Sequence, residues 1–99
     1  MPLLTDAQID DGLKTLPGWT REEDAIRKQF TFESFPAAVA YVQRLVPGAE
    51  AADHHPDLTI NYRRVTVAYT THSDGGLTEK DLAGARAAEA LAIADEGRS

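Results

Sequence analysis

The sequence contains no cysteine, few basic residues and no long apolar run. Its 99 residues include three histidines, one tryptophan, and ten basic residues against sixteen acidic ones. The lack of cysteine excludes disulfides and thiolate metal sites. Apolar runs that stay well below about 18 residues exclude a membrane-spanning helix. A formal net charge of −6 argues against nucleic-acid binding, because contacts to phosphates need a basic surface.

The length and composition predict a single domain over residues 1–99. With 42% hydrophobic residues the chain can bury one core, and it is too short for two. The N-terminal residues lack the basic segment and apolar stretch of a secretory signal peptide, so none is expected. Together with the absence of cysteine, this predicts a cytoplasmic protein.

Periodic patterns predict three helices and two β-hairpins. Thr5, Ser34 and Thr78 are expected to cap the helices. The first helix should end near Leu16 and the second at Pro47-Gly48, unless Pro47 begins another short turn. The strands are predicted at residues 19–23, 25–32, 57–61 and 64–72. The order α-β-β-α-β-β-α indicates an α+β fold, with three helices packed on one face of a four-stranded antiparallel sheet and the histidines on the other face.

Alternation within two strands assigns side chains to these faces. In the fourth strand, Val65, Val67 and Tyr69 are expected to pack under the helices, and His72 to lie on the open face at the strand's end. In the second strand Lys28 interrupts an apolar face. Its ammonium is therefore expected in water near a sheet edge.

All three histidines fall within residues 54–72, as the pair His54-His55 and then His72. Histidine has an unperturbed pKa of about 6.5, so it both donates and accepts protons near neutral pH. Acidic and aromatic residues accompany the histidines at Glu50, Asp53, Tyr62 and Asp81. This gathering favours acid–base chemistry.

Each of these residues also has an ordinary structural explanation. A loop histidine is usually a surface residue. Asp81 is the fourth residue of Thr78-x-x-Asp81, so it can cap the last helix and complement its dipole. No metal site is expected, because the adjacent His54 and His55 side chains should diverge and no His-Glu-x-x-His motif is present. No serine lies in a nucleophile motif.

The spacing Glu50-x3-His54-His55-Pro56-x5-Tyr62-x9-His72-x8-Asp81 resembles the signature of the pterin-4a-carbinolamine dehydratases. Thr71-His72 before Gly76-Leu77-Thr78, and the order of helices and strands, look like that family as well. One residue departs from the pattern, since Arg63 follows Tyr62 where the best-known members have asparagine. This difference affects the expected shape of the turn in the second hairpin.

The resemblance implies a lyase that converts a 4a-hydroxytetrahydropterin to a quinonoid dihydropterin and water. Such an enzyme recycles the cofactor of aromatic amino-acid hydroxylases and works alongside one. The resemblance implies a pterin substrate, no cofactor or metal, and a homodimer or homotetramer. It also implies that His54, His55 and His72 are catalytic. We expect His54 and His72 to be indispensable and His55 to position the substrate, because adjacent side chains diverge.

Six further residues are expected to bind substrate or support the histidines. Asp81 should hold His72 in one tautomer or orient its loop, and Glu50 should favour the charged form of a nearby imidazole. Pro56 should fix the backbone after the histidine pair. The remaining three are Asp53, Tyr62 and Thr71.

Two other functions stay open at the level of the sequence. The first is a non-enzymatic dimerisation or binding protein that uses the alanine-rich last helix as an interface. It predicts dispensable histidines and leaves their gathering unexplained. The second is an activity on a related pterin, such as a molybdopterin-type compound.

Overall fold

The computed structural model describes residues 3–96, with side-chain surroundings for residues 3–92; residues 1, 2 and 97–99 of the predicted domain lie outside this range. The helices and strands follow the predicted order, and the α+β architecture is confirmed. They are α1 (Asp6–Leu13), β1 (Thr20–Glu22), β2 (Ala25–Thr31), α2 (Phe35–Ala52), β3 (Asp57–Asn61), β4 (Arg64–Tyr69), a 3-10 turn (His72–Asp74) and α3 (Glu79–Glu96).

The four strands form one antiparallel sheet in the order β1-β2-β4-β3. Its two central strands are β2 and β4, where Phe30 lies opposite Val65. At the edge, Asp57 in β3 lies opposite Ala68 near the end of β4. The chain therefore enters β3 and leaves β4 at the same end of the sheet, and this end carries the segments with the histidines.

The helices cover one face of the sheet, as predicted. Val65, Val67 and Tyr69 of β4 are buried beneath them. The fully buried Tyr41 of α2 donates a hydrogen bond of 2.8 Å from its hydroxyl to the Ala88 carbonyl of α3. This bond satisfies a polar group in the core and holds the two long helices together.

Two helix ends differ from the prediction. The first helix ends at Leu13, and the backbone then makes single turns as far as Leu16. The second helix continues through Pro47 to Ala52, and the capping residue Asp53 adopts a left-handed conformation with φ 50°. Pro47 is exposed and removes only one intrahelical hydrogen bond. The helix continues to Ala52, with Ala49 half-buried, because the loss of one bond does not end it.

Two predictions for the strands were wrong. The fourth strand ends at Tyr69 rather than at His72, because the backbone of Thr71 bonds to residues 74–76 and closes a tight loop. Lys28 is on a central strand, not at an edge. Its ammonium contacts Glu89 and donates a hydrogen bond of 2.9 Å to the Pro17 carbonyl.

Candidate active site

The end of α2 sets the directions of the first two histidines. Asp53 closes the helix in the left-handed region, with its backbone N–H directed to the carbonyls of Ala49 and Glu50. A short polar side chain tolerates this conformation better than most residues. The next two residues, His54 and His55, then enter different surroundings.

His54 forms a close pair with Asp81 at the start of α3. The distance from His54 Nε2 to Asp81 Oδ1 is 2.6 Å, and the two side chains are 11% and 0% exposed. The other oxygen, Oδ2, accepts hydrogen bonds from the Thr78 backbone N–H at 2.9 Å and from Thr71 Oγ1 at 2.8 Å. A wholly buried carboxylate needs such partners, and Asp81 has three.

This pairing selects one state of the His54 ring. An ionised carboxylate has only acceptors, so Nε2 must carry the hydrogen that points to Asp81. In the neutral imidazole the lone pair then belongs to Nδ1. The geometry therefore gives His54 one anchored nitrogen and one nitrogen able to accept a proton.

The Tyr69 ring lies against the ring of His54. Its centroid is 5.9 Å from that of His54, and the two planes are inclined by 22°. Burial, and secondly the charge of Asp81, raise the pKa of the Tyr69 phenol to about 12. Both rings border a cleft of about 180 Å³ between α2 and α3, which is lined by Leu45, Gly48, Ala49, Ala52, His54, Tyr69, Lys80, Ala83, Gly84, Ala87 and Leu91.

His55 pairs instead with Glu50 on the surface. The distance from His55 Nε2 to Glu50 Oε2 is 2.5 Å, and the side chains are 57% and 68% exposed. Pro56 and Leu58 lie beside them in a shallow, largely apolar depression. The expected divergence of the two adjacent histidines is therefore present in the structure.

His72 is exposed in the 3-10 turn and borders a third depression together with Asp57 and Thr70. The expected contact between Asp81 and His72 was wrong, because Asp81 contacts His54. Thr71 is buried and directs its hydroxyl to Asp81, and the neighbouring His72 faces solvent. The second expectation for Asp81, that it orients the loop, agrees with this hydrogen bond.

The three histidines lie at one end of the sheet but open into different depressions. His54 stands on the helix-covered side, so the prediction that all histidines occupy the open face was wrong. Tyr62 is far from them, because it forms the exposed tip of the β3–β4 turn at the opposite end of the sheet. It has a positive φ of 57°, and Arg63 completes this turn.

Comparison with known proteins identifies the family and the fold. The sequence profile described as Pterin 4 alpha carbinolamine dehydratase matches residues 2–91. The chain belongs to the pterin-4a-carbinolamine dehydratase family. A relative from Mycobacteroides abscessus, named "putative pterin-4-alpha-carbinolamine dehydratase", is 52% identical over 83 residues, which are 84% of this chain and 88% of the relative.

Two solved structures share the fold of this dehydratase family member. The transcriptional coactivator/pterin dehydratase of Brucella melitensis superposes with a TM-score of 0.88 at 35% identity, over 92% of this chain and 99% of the other. A pterin dehydratase-like protein described as a RuBisCO assembly factor in the α-carboxysome gives a TM-score of 0.62 at 23% identity, over 75% and 86% of the two chains. The second likeness concerns the fold alone.

Sequence reasoning missed two contributors to the site of this family member. Thr78 was recognised only as a helix cap, yet its backbone N–H and its hydroxyl both belong to the network around Asp81. Tyr69 was recognised only as a core residue. Its position in β4, three residues before His72, gives no signal that its ring contacts His54.

Among the described residues, no three histidine, aspartate or glutamate side chains are grouped closely enough to hold a metal ion. Within the same range, no helix is long and apolar enough to cross a membrane.

Proposed function

We propose that this chain dehydrates a 4a-hydroxytetrahydropterin to a quinonoid dihydropterin and water. The observation that carries the proposal is the buried His54–Asp81 pair, whose carboxylate is also bonded to Thr71 beside His72. One carboxylate thus supports both histidine-bearing segments. The membership in the family supplies the substrate class.

The reaction needs one acid and one base on a flat heterocycle. The C–O bond at ring carbon 4a breaks, and the hydroxyl leaves with an added proton as water. The neighbouring ring nitrogen loses its proton, and a C=N bond forms between the two atoms. No electrons enter or leave, so imidazole side chains can supply all the chemistry.

The geometry suggests a division of roles among the histidines. His54 has Nε2 anchored on Asp81 and Nδ1 available to accept the proton from the ring nitrogen. We assign protonation of the departing hydroxyl to His72 from the family resemblance, and Asp81 joins the loop of His72 to His54 through Thr71. His55 would position the pterin, because it diverges from His54 and pairs with Glu50.

The metabolic setting belongs to the same proposal. The product is a form that a reductase can return to the tetrahydropterin cofactor, so we expect the enzyme to act after an aromatic amino-acid hydroxylase. Self-association to a homodimer or homotetramer and a cytoplasmic location remain predictions. Light scattering on the purified protein would measure the first.

The test is a dehydration assay with single alanine variants of the three histidines. The 4a-hydroxytetrahydropterin is generated in situ by a phenylalanine hydroxylase, and formation of the quinonoid product is followed by absorbance. We expect His54→Ala and His72→Ala to lower kcat/KM by about 10²–10⁴-fold, and His55→Ala to act mainly on KM. The exposed Gln43→Ala on α2 is the control for an ordinary surface change.

The outcomes separate the candidate functions. A His72→Ala enzyme of full activity would contradict the assigned roles. Folded wild-type protein that accelerates no dehydration would contradict the proposal itself and favour a binding role. Circular dichroism of each variant shows that a loss of activity is not a loss of fold.

A further inference from the structure

We propose that Tyr69 is a positioning residue for His54, and that Gly84 is the helix position that admits its ring. The inference rests on the proposed function, in which His54 accepts a proton. It concerns a residue on β4 and a residue on α3 that meet at the floor of the α2–α3 cleft.

The Tyr69 ring and the Asp81 carboxylate restrain His54 in two different ways. The hydrogen bond to Asp81 fixes the direction of Nε2, but it permits rotation of the ring about that direction. The neighbouring Tyr69 ring, inclined by only 22° at a centroid distance of 5.9 Å, limits this rotation by stacking. Together they fix the direction in which Nδ1 points.

Gly84 makes this arrangement possible. A Cβ atom added at Gly84 would lie 2.5 Å from Cε1 and 2.8 Å from Cζ of Tyr69. These atoms belong to a rigid ring that is itself only 4% exposed, so the ring would have to move. A glycine inside a helix costs stability relative to alanine, and here the close approach of Tyr69 explains its presence.

Among the described residues that line the cleft or hydrogen-bond to the His54 ring, the charged ones belong to α3. Asp81 contacts the ring directly, and Lys80 borders the same cleft. From β4 comes the Tyr69 phenol, which stays neutral at physiological pH. The wall contributed by α2 consists of Leu45, Gly48, Ala49 and Ala52, none of which titrates. Changing Tyr69 therefore alters the orientation of His54 without adding or removing a charge near neutral pH.

The test combines NMR of the histidine rings with kinetics. Tyr69→Leu removes the ring, Tyr69→Phe keeps it, and Gly84→Ala displaces it. The ring resonances of His54, assigned with a His54→Gln variant, are recorded across a pH titration. The ring current of residue 69 is expected to shift them in the wild type and in Tyr69→Phe, and this shift should be lost in the other two variants. For those two we expect kcat to fall about tenfold while KM changes less than twofold.

Gly48→Ala supplies a matched control. Gly48 lies in α2 on the same cleft, and an added Cβ there meets nothing within 4 Å. This glycine-to-alanine change should leave the His54 resonances in place. The resonances of His55 and His72 serve as internal references, since the structure places neither against Tyr69. The double variant Gly84→Ala with Tyr69→Leu tests whether Gly84 acts through the Tyr69 ring. Its kcat should be no lower than that of Tyr69→Leu alone.

The outcomes distinguish this inference from the proposed function. His54 resonances that are the same in wild type, Tyr69→Leu and Gly84→Ala would overturn the positioning role, whatever the activity. An additive loss in the double variant would overturn the role of Gly84. If the resonances shift as expected but the wild type dehydrates no pterin, the contact stands and the proposed function fails.

Discussion

At the scale of the residue, Asp81 joins the start of α3 to the His54 ring. It accepts the backbone N–H of Thr78, as an acidic residue at the start of a helix should. Its other oxygen faces His54. A carboxylate has two oxygens, so one side chain both caps the helix and contacts His54.

Thr71 provides the sharpest test of this network. Thr71→Ser keeps the hydroxyl that bonds to Asp81, whereas Thr71→Val replaces it with a methyl group of similar size. A buried acceptor that loses a donor costs about 1–3 kcal/mol. We expect Thr71→Val to lose that much stability in urea unfolding and to lower kcat about tenfold, with Thr71→Ser close to wild type. Equal behaviour of the two variants would contradict a role for the hydroxyl.

At the scale of the element, the sequence predicts which face of a strand is buried, because alternation controls it. It does not predict where a helix ends when contacts elsewhere in the fold decide the end. The buried face of β4 follows from alternation alone. The continuation of α2 through Pro47 does not, because a proline usually ends or kinks a helix and no pattern in the sequence marks this exception.

The same distinction explains which parts of the site were predictable. The spacing of the histidines identifies the residues and the family. The pairing of Asp81 with His54 depends on the left-handed Asp53 and on the loop at residues 71–76. No pattern in the sequence encodes how these two segments meet.

The contact of Lys28 with Glu89 joins the central strand β2 to α3, and it makes a prediction at this scale. Trp19 also donates to Glu89, at 2.9 Å, and both charged side chains are about four-fifths buried. Lys28→Met therefore leaves a poorly paired carboxylate and should cost about 1–3 kcal/mol in urea unfolding. Adding Glu89→Gln should recover part of that loss, with a coupling of about 0.5–3 kcal/mol. If the losses of stability of the two single variants simply add in the double variant, Lys28 and Glu89 do not stabilise each other.

At the scale of the whole molecule, the candidate site lies where two connections and the start of α3 meet at one end of the sheet. The segment from α2 to β3 supplies His54 and His55, the segment after β4 supplies His72, and the start of α3 supplies Asp81. A small domain can therefore gather these groups without a long insertion. The domain therefore buries the polar residues Thr71, Thr78 and Asp81 in a small core, which also contains Tyr41 and Tyr69.

These tyrosines predict how the stability of the protein depends on alkaline pH. Burial is the main cause that raises the pKa of Tyr69 from 10.0 to about 12, and it also raises the pKa of Tyr41 well above 10.0. Above pH 10 the unfolded chain loses these protons first, so the free energy of unfolding should fall as the pH rises toward 12. The slope is about 1.4 kcal/mol per pH unit for each tyrosine.

Urea unfolding between pH 9 and 11 measures this slope, and the Tyr69→Phe variant isolates one contribution. Lysines also titrate in this range, so the difference between variant and wild type is the informative quantity. Tyr69→Phe should lose stability less steeply with rising pH than the wild type. If Tyr69→Phe and wild type lose stability in parallel, the phenol is not held neutral by the core. The environment inferred for the neighbouring His54 would then be wrong as well, because both rings border the same cleft and lie near Asp81.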